Sequence, residues 1–262
     1  MEAEKVLEEV INDILQTGLI VTATKGHGKS NAVMHLARLF RQKENVHLKI
    51  FDTCLNWRFK FDSIPYIESE NIIQAIPEVK DILIDVPYSD TMLTYLAITQ
   101  IIMSEYEVKK EIKKALEGQN PYWNVYIIEE IQNIIGRNSF RGEGGRFWLK
   151  FVSEGRNFGM SYIGITQRLA DVDTRIVERC KGYLIGQLIG DNDVKKIRRV
   201  CGEQIAELVK TLKVGEFIYY NGEKRKVYQI YFPKFVQQGK PEPYKEPKNG
   251  KIKVTKINIL GR

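Results

Sequence analysis

The chain has 262 residues, of which 43% are hydrophobic and 28% are charged, a composition that excludes a disordered or fibrous protein. This length allows one substantial core, so we expect one principal domain with short appendages. The 40 Lys and Arg residues exceed the 33 Asp and Glu residues, and the formal net charge of +7 is compatible with a polyanionic partner without requiring one.

The N-terminal segment predicts an amphipathic helix and no targeting signal. Residues 2–16 carry apolar side chains at helical spacing with acidic residues between them, and Gly18 ends the pattern. The start lacks the basic residues and the apolar centre of a secretory signal. No apolar run in the chain reaches the roughly 20 residues of a membrane span. We therefore expect residues 1–17 to be a helix that caps the domain, a cytoplasmic location and no membrane insertion.

Apolar runs and helical patterns alternate along the middle of the chain. Strands are predicted at 19–23, 46–51, 81–86, 124–128, 161–166 and 182–189. Helices are predicted at 31–42, 91–116 and 145–157. Strands separated by helices indicate an α/β fold with a mainly parallel sheet that is covered on both faces.

The C-terminal part predicts a hairpin and then a tail. Residues 216–220 and 226–231 flank Asn221-Gly222, a strong hairpin signal, so an antiparallel pair should close one edge of the sheet. We expect the principal domain to span residues 18–235. Residues 236–262 contain seven basic and two acidic residues and three of the eight prolines, which predicts an extended tail that contacts other chains or DNA.

The segment between the first predicted strand and the next helix matches the Walker A pattern, with alanine in place of the first glycine. It consists of Ala23, Thr24, Lys25, Gly26, His27, Gly28, Lys29 and Ser30. The glycines let the backbone approach a phosphate closely, and the helix N-terminus favours anions. Lys29 can reach the β and γ oxygens and Ser30 can bind Mg²⁺. The segment predicts ATP and Mg²⁺ as ligands; His27 is either a phosphate contact or a variable loop residue.

Two adjacent carboxylates follow the predicted strand 124–128. A P-loop needs an acid at the end of a neighbouring strand. We interpret Glu129 as the acid on the Mg²⁺ side, acting largely through water, and Glu130 as the base that orients and deprotonates the attacking water. The strand that ends at Asp85 is the competing candidate, but it offers one carboxylate and a proline follows.

Three further runs occur in a characteristic order. They are residues 127–133 (IIEEIQN), 154–159 (EGRNFG) and 164–168 (GITQR). Together with the Walker A segment they resemble the HerA and FtsK superfamily of hexameric DNA-pumping ATPases, and the paired Glu residues are closer to the HerA branch. The resemblance covers about residues 18–190 and implies a RecA-like P-loop NTPase fold. The chain is similar to stand-alone motors such as the genome-packaging ATPases of membrane-containing viruses and some plasmid-encoded relatives.

The resemblance also implies roles for two more residues. Gln167, after the strand that follows the paired acids, would sense the γ-phosphate, and Arg156 would reach the ATP of a neighbouring subunit. A guanidinium offers planar bidentate contact to developing phosphoryl charge. Arg156 in a surface ion pair is the alternative interpretation, and Arg168 or Arg146 would then be the next candidates for this role.

A ring motor needs basic loops that grip DNA phosphates. The loop from Gly136 supplies Arg137, Arg141 and Arg146, and a second basic cluster spans Lys195–Arg199. We therefore predict a hexameric ring that hydrolyses ATP to package or transfer double-stranded DNA, with a capsid or other protein contacting the tail. If the source is viral, the location is the host cytoplasm or the virion. A nucleotide-dependent switch, or a Zot-like assembly ATPase that does not pump DNA, is the alternative.

Overall fold

A computed structural model describes residues 2–53, 56–68, 80–85, 91–136, 142–240 and 242–243. In this part of the chain the strands are β1 (Leu19–Thr22), β2 (Val46–Asp52), β3 (Pro65–Glu68), β4 (Asp81–Asp85), β5 (Trp123–Ile128), β6 (Met160–Thr166), β7 (Gly182–Ile185), β8 (Glu216–Asn221), β9 (Lys226–Tyr231) and β10 (Glu242–Pro243). The helices are α1 (Glu2–Thr17), α2 (Lys29–Arg41), α3 (Asn56–Lys60), α4 (Thr91–Ala115), α5 (Gln132–Ile135), α6 (Glu143–Glu154), α7 (Thr174–Arg179), α8 (Asp191–Cys201) and α9 (Glu203–Leu208).

These strands form one sheet in the order β10-β3-β4-β2-β5-β6-β1-β7-β8-β9. Neighbouring strands are parallel from β10 to β7, whereas β8 and β9 add an antiparallel hairpin. The predicted α/β fold with a mainly parallel sheet and a C-terminal hairpin is confirmed. Because β6 lies between β1 and β5, the chain segments that leave these three strands meet at one edge of the sheet.

The sheet separates two apolar layers, and both faces of its central strands are buried. All four residues of β1 and all seven of β6 are buried, as expected of continuous apolar runs in a parallel sheet. One layer packs α1 and α2 against the sheet, and the other packs α4 and α6–α9 against it. None of the helices in the described residues is both long enough and apolar enough to cross a bilayer.

Two predicted elements end earlier than expected. The strand predicted at 182–189 ends at Ile185, and the next residue, Gly186, packs so closely on His27 that an added Cβ would lie 2.2 Å from the ring. The helix predicted at 145–157 ends at Glu154 and continues as a 3₁₀ turn. Arg156 therefore lies in this turn, which leads into β6.

The predicted hairpin is present, and its first strand extends one residue further than predicted, to Asn221. Asn221 pairs with Lys226, so four residues connect the strands. The side chain of Asn221 explains this turn, because its Oδ1 accepts the backbone N–H groups of Glu223 and Lys224 at 3.0 Å each.

The first part of the predicted tail is held against the domain. Gln238 donates its backbone N–H to Asp62 (2.7 Å) and accepts the N–H of Ser63 (3.0 Å). Strand β10 then pairs with β3. The chain thus crosses from the hairpin edge of the sheet to the opposite edge. Residues 244–262 lie outside the described residues.

An ion pair fastens this crossing segment to α2. Arg38 donates to both carboxylate oxygens of Asp62 at 2.6 Å and to the carbonyl of Val236 at 2.6 Å. Its guanidinium lies 4.1 Å from the ring centre of Phe235. We expect Arg38→Met to lower the free energy of unfolding by about 2 kcal/mol at pH 7, since a nearly buried carboxylate loses its charged partner. Urea unfolding measures this change.

The decrease in the free energy of unfolding caused by Arg38→Met should depend on pH. Burial alone would raise the pKa of Asp62, but the hydrogen bonds from Arg38 and Gln238 and the charge of Arg38 lower it overall. A carboxylate with a lowered pKa stabilises the fold above its unfolded pKa of about 3.9, and this stabilisation is lost as the pH falls through the folded value. The difference between wild type and Arg38→Met should therefore shrink towards pH 3. Lys43→Met, which removes the partner of the exposed Glu8, is the control, and an equal loss in both variants would contradict the assignment.

Candidate nucleotide-binding site

The predicted phosphate loop connects the central strand β1 to α2. Gly26 and Gly28 have φ angles of 81° and 101°, a left-handed conformation that favours glycine. A Cβ added at Gly26 would meet no atom within 4 Å, and at Gly28 only the Cβ of Asn31 at 3.9 Å. The backbone therefore borders open space at the N-terminus of α2, where N–H groups favour an anion. This geometry fits a bound phosphate.

The side chain of Lys29 lies against the predicted phosphate loop. Its Nζ donates to the carbonyls of Ala23 (2.8 Å) and Thr24 (3.0 Å), and the residue is buried. Burial lowers the pKa of Lys29, whereas the nearby charges of Glu130 and Glu129 oppose that shift. The ammonium is thus held at the loop with two carboxylates close enough to affect it, and phosphate oxygens can take the place of the carbonyl acceptors.

His27 contributes its backbone to the loop, whereas its ring packs elsewhere. The ring is buried, with Nε2 2.9 Å from the carbonyl oxygen of Glu216 and 3.1 Å from the backbone nitrogen of Gln187. It also makes an edge contact with Phe217 at 5.2 Å between ring centres. The structure therefore gives the side chain of His27 an anchoring position, fastening the loop to β8 and to the segment after β7.

Ser30 and Glu129 bring two oxygen ligands together. Ser30 donates its Oγ–H to Oε1 of Glu129 across 2.7 Å, although the residues are 99 positions apart. Burial raises the pKa of Glu129, the hydrogen bond from Ser30 lowers it, and the charge of Asp52 raises it again. Mg²⁺ prefers hydroxyl, carboxylate and water oxygens, and a cation would relieve this crowding of negative charge. The pair fits the predicted Mg²⁺ site.

Glu130 and Gln167 also meet, as the order of the strands requires. Gln167 follows β6, and its Nε2 donates to Oε1 of Glu130 at 2.7 Å. Because β6 lies between β1 and β5, the amide of Gln167 is placed beside both the loop and the acids. The structure thus brings five predicted residues to one edge of the sheet: Lys29, Ser30, Glu129, Glu130 and Gln167.

The competing acid Asp85 has a different environment. It ends β4, which β2 separates from β5. Its carboxylate accepts a hydrogen bond from Nη1 of Arg58 at 3.0 Å, and Arg58 also bonds the hydroxyl of Tyr66. Asp85 therefore belongs to an ion pair on β3, β4 and α3, and the contact with Ser30 is made by Glu129.

Three of the arginines predicted from the sequence are described by the structure, and their side chains are exposed. Arg156 precedes β6, so it lies at the opposite edge of the sheet, about 20 Å from the phosphate loop for a strand of this length. Its exposed guanidinium is 3.3 Å from Glu223. Arg168 pairs with Asp171 at 3.3 Å, and Arg146 is exposed on α6. Arg137 and Arg141 lie outside the described residues.

Two residues at the site were not singled out from the sequence. Asp52 ends β2 beside Glu129 and accepts the backbone N–H groups of the first residues of α3. Its signal was an acid directly after an apolar strand, the same signal that identified Glu129. Gln132 donates its amide to the second oxygen of Glu130. It stands in the run that carries the family resemblance, but its contact depends on the turn after β5.

Solved structures of the same fold exist. The genome packaging NTPase B204 from Sulfolobus turreted icosahedral virus 2, in complex with ATP-gammaS, has a TM-score of 0.58 and 16% identity, over 82% of this chain and 97% of that chain. VirB4 of Thermoanaerobacter pseudethanolicus has a TM-score of 0.61 and 11% identity, over 82% and 89%. EssC (ATPases 2 and 3) from Geobacillus thermodenitrificans has a TM-score of 0.59 and 14% identity, over 86% and 40%.

These similarities establish the fold. The predicted fold is confirmed, and the predicted resemblance is confirmed as a likeness of fold to these solved structures. No family model matches the sequence, and the comparison with curated proteins finds no match.

Proposed function

We propose that the chain is an Mg²⁺-dependent ATPase that translocates double-stranded DNA as a ring. One observation carries the ATPase part: the hydroxyl of Ser30 is bonded to Glu129 beside the phosphate loop, and the next residue, Glu130, is bonded to Gln167. A loop that only binds nucleotide needs no second carboxylate held in this way. That second carboxylate argues against the alternative of a switch without turnover.

Each residue of the site has a different role in the proposed hydrolysis. The backbone of the loop and Lys29 hold the β and γ-phosphates, and Gln167 turns its amide towards the γ-phosphate. Glu130 orients a water and takes one of its protons as the oxygen attacks the γ-phosphorus. Ser30 and Glu129 hold Mg²⁺, which neutralises negative charge on the phosphates when it is bound. The bridging oxygen leaves with ADP, and inorganic phosphate is the second product.

The DNA part of the proposal is supported by the fold and by charge. B204 is a genome packaging NTPase, and this chain shares its fold. The segment from Gly136 to Arg146 follows the catalytic acids and supplies Arg137, Arg141 and Arg146. The second basic cluster is less suited to DNA, because Arg198 pairs with Glu203 and Glu207, and Arg199 pairs with Glu178. The tail is the proposed contact for a capsid or other protein.

The position of Arg156 is the argument for a ring. It is exposed and too far from its own phosphate loop to act there, so it could complete only the site of a neighbour. We expect Arg156→Ala and Lys29→Ala subunits to be inactive separately and to regain ATP turnover when mixed, at interfaces where an intact loop meets an intact arginine. The measurement is turnover at varied ratios under conditions of subunit exchange.

The control is Arg179→Ala, which removes an exposed arginine bonded to Ser153, three residues before Arg156. It should retain turnover. Zero activity at every mixing ratio, in assemblies shown to contain both variants, would exclude Arg156 from the trans role and make Arg146 or Arg168 the next candidate.

A further inference from the structure

Both carboxylate oxygens of Glu130 are held by amides. Gln167 donates to Oε1 at 2.7 Å, and Gln132 donates to Oε2. Gln167 comes from the strand next to the phosphate loop, whereas Gln132 lies only two residues after Glu130, at the start of α5. The two amides therefore differ in what can displace them: a nucleotide can attract Gln167, while Gln132 is attached to the turn that carries Glu130 itself.

The backbone of Glu130 is strained. Its φ is 48°, in the left-handed region that side chains other than glycine rarely adopt. Among the described residues two other non-glycine residues share this sign, and both, Glu117 and Arg225, lie in exposed turns. Such a conformation costs on the order of 1–3 kcal/mol and persists only where the surroundings hold it in place. The backbone conformation that directs the Glu130 carboxylate therefore lowers the stability of the fold, and surrounding contacts must hold it in place.

Gln132 also carries a cost in stability. Its amide oxygen is buried and has no hydrogen-bond partner in the described structure. A buried acceptor without a partner costs about 1–3 kcal/mol, which an apolar side chain of similar length would avoid. The orientation of the amide follows from chemistry, since a carboxylate oxygen accepts and only the NH₂ group can face it. The amide of Gln132 therefore donates a hydrogen bond to Glu130, while its oxygen is left without a partner.

We propose that Gln132 is a positioning residue that holds Oε2 of Glu130, so that Oε1 is the oxygen that takes the proton. This inference rests on the proposed ATPase function. When Gln167 turns to the γ-phosphate it vacates Oε1, while Gln132 keeps the carboxylate in place. The water oxygen then bonds to the γ-phosphorus, the bond from that phosphorus to the bridging oxygen breaks, and one water proton passes to Oε1. Gln132 neither gives nor takes a proton.

The test compares Gln132→Met with Asn133→Met, the same change at the next, exposed position. For Gln132→Met we expect the single-turnover rate of ATP cleavage to fall about tenfold or more, as a misplaced base requires. The dissociation constant of a non-hydrolysable ATP analogue should stay within about twofold of wild type. The thermal midpoint should stay close to that of wild type, because removal of the buried unpaired oxygen offsets the loss of the hydrogen bond to Glu130. Asn133→Met should match wild type in all three measurements.

Two outcomes would overturn the positioning role. One is a cleavage rate for Gln132→Met within about twofold of wild type. The other is a slower rate accompanied by weaker binding of the analogue and a lower thermal midpoint, which would show that Gln132 only supports the fold. Wild type and Glu130→Gln are measured alongside. If wild type does not cleave ATP, the ATPase proposal itself fails. If Glu130→Gln cleaves ATP as fast as wild type, the assignment of Glu130 as the base fails. If both behave as expected, the experiment tests the role of Gln132 alone.

Discussion

Glu130→Gln is expected to stop ATP turnover while ATP stays bound. Glutamine keeps the size of the side chain but cannot accept the proton of the attacking water. Removal of a general base typically lowers a rate by about 10²- to 10⁴-fold. The contacts between Lys29 and the loop and between Ser30 and Glu129 do not involve this side chain, so nucleotide binding should persist. The measurements are ATP turnover and the amount of nucleotide retained by the purified variant.

Asp85→Asn is the matched control for this experiment. It makes the corresponding change at the strand end that competes with Glu129 and Glu130 in the sequence. Asp85 is bonded to Arg58 and lies two strands away from β5, so turnover should continue. Near wild-type hydrolysis by Glu130→Gln together with an inactive Asp85→Asn would move the catalytic acid to β4.

Lys29→Ala should abolish nucleotide binding, and turnover with it. The buried ammonium is the one side chain of the phosphate loop that donates to the loop's own carbonyls in the described structure, at 2.8 and 3.0 Å. When ATP binds, phosphate oxygens would replace these carbonyls as acceptors of the ammonium. Charge-assisted hydrogen bonds contribute about 1.5–3 kcal/mol each, so the loss of two such bonds to phosphate corresponds to at least a hundredfold weaker binding. Equilibrium binding of a fluorescent ATP analogue measures the change.

Lys43→Ala, just beyond the other end of α2, removes a lysine that pairs with Glu8. It should bind the analogue like wild type. An unchanged dissociation constant for Lys29→Ala would exclude the segment from Ala23 to Ser30 as the phosphate site, whatever its similarity to the Walker A pattern.

The sheet was predictable because its central strands are short, continuous apolar runs. Such runs are typical of a covered parallel sheet, and all eight predicted strands of the domain occur. Strand β3 was missed, because a short edge strand carries little periodic signal and its partner β10 is distant in sequence. Helix α3 was missed because the side chain of Asp52, rather than an apolar stripe, sets its first turn.

The grouping of residues in the candidate site was predictable where residue types have one chemical use. The lysine of the phosphate loop, the hydroxyl that follows it and the acids after β5 are identified by spacing and order. The spacing and order of residues along the sequence do not specify the direction in which a side chain points. His27 turns away because Gly186 leaves room for its ring, and Gln132 meets Glu130 because the turn after β5 is left-handed at Glu130. These contacts depend on tertiary packing and backbone conformation that a linear motif does not specify.

The most direct test of a DNA-translocating ring is the rate of ATP hydrolysis with and without linear duplex DNA, measured at several protein concentrations. A ring that grips phosphates and completes each site with a neighbour's arginine should be strongly stimulated by DNA, with a rate per subunit that rises steeply with protein concentration and falls with added salt. Slow hydrolysis that is indifferent to DNA and proportional to protein concentration would contradict the account and favour a nucleotide-dependent switch.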